Sequence, residues 1–191
     1  MTAQVRDRFL YGDGSYSLVC TTGLNFDPRN YGIVPSMAST ACYRGYHCVY
    51  KVIEGKLYLD ELYVHSSDGN YPQINGVDVC TKGPLKEKID YMGCCLYKGL
   101  KLHYEFDGKI LLGRDFDLSL YVHMGFHDPW KYRELTELVF KKGELIEVND
   151  HSEIGAKLRE MKLNEEMFLT LEERIERDKI LKKKGLDVWW A

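Results

Sequence analysis

Short apolar runs with strand-like alternation, separated by glycine-bearing turns, fill most of the first 150 positions. Residues 9–11 and 16–20 flank Gly12-Asp13-Gly14, residues 46–53 and 57–64 flank Glu54-Gly55-Lys56, and residues 138–141 and 145–148 flank Lys142-Gly143-Glu144. Each set predicts a β-hairpin, because these turn residues tolerate the positive φ that tight turns need. Residues 96–106 and 110–112 around Asp107-Gly108-Lys109 give the clearest hairpin signal of all. Residues 25–38, with Pro28 and Pro35, lack a clear period and read as a long connection, and residues 66–75, with Gly69, Asn70 and Pro72, read as a surface loop.

Two of these units look alike. Tyr43-Arg44-Gly45, Tyr50, Gly55-Lys56-Leu57 and Leu62-Tyr63-Val64-His65 follow one another in the first. Tyr97-Lys98-Gly99, Tyr104, Gly108-Lys109-Ile110 and Leu120-Tyr121-Val122-His123 follow in the second. The order suggests an internal repeat over about 43–65 and 97–123. With the outer hairpins this predicts about eight antiparallel strands, which avoid exposed edges by forming a barrel or a sandwich.

The period changes after Asp150. Ile154, Leu158, Met161, Phe168, Leu171 and Ile175 recur at three- and four-residue steps, as on one face of a helix. Ser152 can cap its start, Thr170-Leu171-Glu172-Glu173 matches a capping box after a break near Asn164, and Lys182-Lys183-Lys184 with Gly185 suits a stop. The expectation is a mainly β (α+β) fold: a β domain over 1–150 and a helical extension over 151–191 packed on it. The sharper alternative has part of the extension, with Trp189-Trp190, reaching a partner, or joining two copies in a homodimer.

The 191 residues, 45% hydrophobic and 29% charged, suit one globular domain with a sizeable core. No apolar run reaches the roughly 18 residues that cross a bilayer, and the polar start lacks a secretory pattern. A cytoplasmic protein without a membrane partner is expected. The net charge of −3 leaves no footprint for nucleic acid. Six cysteines without a CxxC pair, in an expected reducing compartment, read as free thiols rather than bridges or zinc ligands.

His123-Met124-Gly125-Phe126-His127-Asp128 offers two imidazoles and a carboxylate for metal binding or acid–base work. Gly125 and Pro129 favour a strand end and loop over a helix, and no recognised metal motif is present, so no metal or other cofactor is expected. Tyr63, His65, Tyr121 and His123 alternate with valines. If the valines face the core, these four form an outer aromatic surface; in a hollow barrel they line a pocket. Tyr43, Arg44 and Tyr46 place an arginine among aromatics, a composition enriched in binding hot spots. Its structural alternative is a strand start in which Arg44 pairs with a nearby carboxylate.

The segments Thr40-Ala41-Cys42-Tyr43-Arg44-Gly45-Tyr46 and Leu120-Tyr121-Val122-His123-Met124-Gly125-Phe126 resemble those of short bacterial proteins of unassigned function, over residues 1 to about 150. That resemblance implies a bacterial single-domain protein and carries no catalytic residues with it. The leading functional expectation is a non-enzymatic binding module with Tyr43, Arg44, Tyr46, Tyr63, His65, Tyr121, His123 and His127 at its protein-binding surface. An immunity-type inhibitor of a bacterial toxin is one such role. The alternatives are a β-barrel carrier of a small molecule and a hydrolase-like enzyme using His123, His127 and Asp128.

Overall fold

A computed structural model describes residues 2–80, 92–160 and 171–183. It is mainly β. Eight strands form one sheet: β1 (Arg8–Tyr11), β2 (Gly14–Thr21), β3 (Tyr46–Ile53), β4 (Lys56–Val64), β5 (Cys95–His103), β6 (Gly108–Phe116), β7 (Tyr132–Lys141) and β8 (Glu144–Asp150). In space they run β3-β1-β2-β6-β7-β8-β4-β5, and a pairing of β3 with β4 closes the sheet in a ring. Register shifts in the β2–β6, β3–β4, β4–β5 and β7–β8 ladders supply the local bends that curl it. The seam between β4 and β8 is narrow: Lys56 pairs with Glu144, and Leu57 and Leu145 donate to the carbonyls of Gly143 and Gly55.

Three expected hairpins form, β1–β2, β3–β4 and β7–β8. The fourth does not. β5 pairs with β4, whereas β6 pairs with β2 and β7, so the corner at Asp107-Gly108 joins two separated strands. Its glycine serves a different purpose from a hairpin turn: a Cβ on Gly108 would lie 2.5 Å from the Thr22 carbonyl oxygen. Asp107 accepts from the Lys142 amide at 2.6 Å, docking the corner on the β7–β8 turn. The two resembling sequence units therefore take different folds, one a hairpin and one a crossing. The all-antiparallel expectation also needs one change, since β1 runs parallel to β3. The long connection over residues 22–45 makes that pairing reachable.

Buried side chains from the ring strands pack closely together. Phe9, Tyr50, Leu59, Tyr97, Ile110 and Leu138 are among the buried side chains that pack as one cluster, with Leu145 of β8 at its margin. Outside the ring, α1 (Ser152–Glu160) covers β7 through Ile154 and Leu158, which join Val19, Leu111, Trp130 and Leu135 in a second cluster. Gly155 permits this approach, because a Cβ there would sit 2.9 Å from Leu135 Cδ1. Arg159 donates to the carbonyls of Trp130 and Tyr132 at 2.8 and 2.5 Å. Helix α2 (Leu171–Lys183) packs Ile180 against the same cluster and leaves Ile175 exposed. The expected break near Asn164, the capping Thr170 and the Trp189-Trp190 pair lie outside the described residues. None of the six cysteines is in a disulfide; Cys42, Cys48 and Cys94 are buried.

Candidate functional site

The N-terminal arm runs across one end of the ring and ties together two loops that contain the candidate residues. Gln4 donates its amide to the Gly125 carbonyl at 2.7 Å, and Val5 donates to Ala41 at 2.8 Å. The Gln4 side chain donates to the Thr40 carbonyl at 2.8 Å and accepts from the Tyr43 amide at 3.1 Å. Between the arm, the 37–44 loop and the 125–126 turn lies a groove of about 740 Å³, lined by Val5, Met37, Cys42, Tyr43, Arg44 and Phe126 among others. Tyr43 is 73% exposed and Phe126 54% exposed, although both are large and largely apolar.

Two arginines brace the groove from behind. Arg44 donates through Nε to the Tyr46 carbonyl at 2.7 Å and through Nη2 to Asp7, and its guanidinium lies 4.5 Å over the Tyr46 ring. Burial is the largest single influence and works against its charge, but the Asp7 carboxylate, Cys48 and Tyr46 together outweigh it and raise the Arg44 pKa. Asp7 also accepts from the Cys48 amide at 2.7 Å, so one carboxylate fixes both Arg44 and the start of β3. The carboxylate pairing expected as the structural reading of Arg44 is present, while the same residue also lines the groove. Arg6 donates to the carbonyls of Leu18, Val19 and His127, the first two at 3.3 and 2.6 Å, and its guanidinium lies 5.0 Å over Phe126. Burial is the largest influence on it and lowers its pKa.

The remaining candidates divide into structural and exposed groups. Tyr46 donates its hydroxyl to the Phe26 carbonyl at 2.8 Å and underpins Arg44. Tyr63 stacks on His47 with centroids 4.4 Å apart and donates to Glu61 at 3.1 Å. Val64 points into the core, which sets Tyr63 on the outer face as one of the two geometries predicts. His65 Nδ1 meets the Ser36 hydroxyl at 2.9 Å, and the His65 carbonyl accepts from the Ser36 amide at 3.0 Å. His65 thereby anchors the base of the loop that carries Met37.

Tyr121-Val122-His123 is not a strand end like its counterpart at 63–65; it follows a 3-10 turn at Leu118–Leu120, and Val122 is exposed. His65 and His123 thus do not occupy equivalent places. Tyr121 and His123 join through the hydroxyl and Nδ1 at 3.0 Å. His127 packs on Phe116 and Tyr121 with centroids 4.7 and 5.1 Å away. Burial, followed by the charges of Lys131 and Arg6, holds the His127 pKa below its ordinary value. Asp128 pairs with Lys131 at 3.8 Å, and its charge is the last of the influences on His127; among the described residues no hydrogen bond or ion pair joins it to either histidine. Among the described residues no group of three His, Cys, Asp or Glu side chains is arranged to hold a metal.

No protein-family model, curated protein or solved structure matches the chain, and the geometry alone carries the reading of the site. Among the described residues no helix is long and apolar enough to cross a membrane. Sequence reasoning missed Met37, Val5, Cys42 and Phe126 as parts of the groove. The signal was available in outline: Met37 and Phe126 are large apolar residues in segments without strand or helix period, where neither a ladder partner nor a core face covers them.

Proposed function

We propose that the protein is a non-enzymatic binding module whose recognition surface is the groove together with the loop that leads into it. One observation carries this reading. Exposed large apolar side chains concentrate there: Met37 and Tyr43 on one wall, and Leu118, Tyr121, Val122, Met124 and Phe126 within nine residues of the facing loop. A monomeric protein rarely leaves such a set uncovered without a use for it, and aromatic and Met side chains are those that protein interfaces favour. The surface is also braced, with Arg6, Arg44, Gln4 and His65 fixing the segments that present it. Such preorganisation lowers the ordering cost of association. Inhibition of a toxin, expected from size and charge, is one role within this class. The close packing of buried side chains from the ring strands in one cluster favours an external protein partner over a small molecule carried within the ring.

The test is affinity capture from the source-cell lysate with the wild-type chain beside Met37→Ser and Phe126→Ser, followed by native mass spectrometry. The reading expects a protein at fixed stoichiometry with wild type and its loss with either variant, at unchanged melting temperature. Equal capture by all three chains, or capture by none, counts against it.

A further inference from the structure

The charge distribution around the groove defines what it accepts. Although the whole chain is acidic, with a net charge of −3, the groove wall is locally cationic. Among the described residues its charged side chains are the guanidinium groups of Arg44, which lines it, and Arg6, which lies over the ring of the lining residue Phe126. Against these two stands one carboxylate, Asp7, already engaged by Arg44 and by the Cys48 amide. Asp128, a second acid among the described residues nearby, pairs with Lys131 and also acts on Arg6 through its charge. The hydrogen bonds of Arg6 go to neutral carbonyls, and its buried Nε has no partner among the described residues. Among these described groups, with Arg6, Arg44 and Lys131 set against Asp7 and Asp128, one net positive charge remains beside an apolar surface.

Arg44 is also poised to take a further acceptor. Its Nε and Nη2 are committed to Tyr46 and Asp7, and the Tyr46 ring supports its plane, while Nη1 has no partner among the described residues. A guanidinium held in this way donates its remaining N–H groups from a fixed position, at small additional entropy cost. Carboxylates are its best acceptors, since both partners of the hydrogen bond then carry charge.

We infer that the groove docks a protein segment bearing an acidic side chain between large apolar ones, with the carboxylate on Arg44 and the apolar side chains against Met37, Tyr43 and Phe126. This inference rests on the binding-module reading and adds the chemistry of the partner. An apolar segment without the acid fills the same groove but leaves its net positive charge unmatched and the remaining N–H groups of Arg44 without a charged acceptor. A basic segment adds a third cation and is repelled.

Fluorescence anisotropy with three labelled short peptides tests the inference. Each has leucine and phenylalanine flanks, and the centre is glutamate, glutamine or lysine. The glutamate peptide is expected to bind about tenfold more tightly than the glutamine peptide, with the lysine peptide weakest, and this preference should shrink between about 50 and about 500 mM salt. Phe126→Ser should weaken all peptides. The double variant Asp7→Asn with Arg44→Gln removes one charge of each sign, so it leaves no buried ion unpaired, and it should bring the glutamate and glutamine peptides close to parity. Binding that depends on Phe126 but is equal for all three peptides overturns the acidic requirement and leaves the docking surface standing. A lysine preference, or no binding by any peptide, overturns the inference outright. Partner capture that depends on Phe126 remains a separate result, so failure here and failure of the binding-module reading are distinguishable.

Discussion

Replacing Arg6 by alanine is expected to loosen the groove and destabilise the fold together. The guanidinium donates to three backbone carbonyls from β2 and the 121–128 loop, and it covers one side of the Phe126 ring. Hydrogen bonds from a charged donor contribute roughly 1.5–3 kcal/mol each. The cost of burying the guanidinium, relieved in the variant, offsets much of that sum. A net loss of about 2–4 kcal/mol follows, which for a domain of this length is a fall of about 5–15 °C in melting temperature. Circular dichroism melts measure the global effect. Hydrogen exchange supplies the more specific readout: amides of the arm and of residues 121–128 should exchange faster, while those of β7 keep their protection relative to global stability. A melting temperature within about 2 °C of wild type, with unchanged exchange in the loop, would refute the role of Arg6 as the tie between β2 and the groove.

Other perturbations probe the scaffold. Gly143→Ala should cost about 2–4 kcal/mol, since its φ of 75° disfavours a side chain and a Cβ would lie 2.3 Å from the Tyr104 carbonyl oxygen. Gly12→Ala, at φ 55° with open space around it, should cost only about 1 kcal/mol; equal losses in urea unfolding would show that the Tyr104 approach is not tight. Lys109→Met should destabilise by about 1–2 kcal/mol, because it removes one of several partners of the buried Glu137 carboxylate, at 3.2 Å, while Asn149 and His151 remain beside it. Glu137→Gln, which keeps the side-chain shape and removes the charge, should cost distinctly less, and the reverse order would contradict the reading that Lys109 matters chiefly through that carboxylate. Folded-state burial depresses the His127 pKa below its unfolded value near 6.5. Its contribution is therefore fully present above that pH and is lost as pH falls through the lower folded value. Chemical denaturation between about pH 7 and 5 should show this loss, and His127→Gln should flatten it; an unchanged slope in the variant would contradict the assignment.

Much of the sheet was legible because alternation and turn chemistry are local properties. Tyr46–Ile53 and Lys56–Val64 pair through the turn their sequence predicts, and Val64 takes the inward face that its neighbours imply. The Asp107-Gly108 corner misled because a glycine needed for close passage past Thr22 carries the same signature as one needed for a tight turn. Only the long-range partner, absent from local sequence, separates the two. The repeated Tyr-Val-His motif failed for a related reason: the copy at 63–65 has a ladder neighbour in β3, whereas the copy at 121–123 follows the Asp117-capped turn and has none among the described residues. At the site, the expected Tyr43 and Arg44 line the groove, while His65 and Tyr63 brace surrounding structure. Arg6 and Gln4 escaped notice altogether. Their roles lie in hydrogen bonds to backbone atoms distant in the chain, which no spacing of side chains reveals.

Site-specific photo-crosslinking tests the central claim most directly. A benzophenone amino acid placed at Phe126 should give, on irradiation in source cells, one discrete adduct with the mass of a partner protein added. The same group at Ile146, exposed on β8 and remote in sequence from the groove segments, should give none. No adduct at Phe126, or the same adduct from both positions, would contradict the assignment of the groove as the recognition surface.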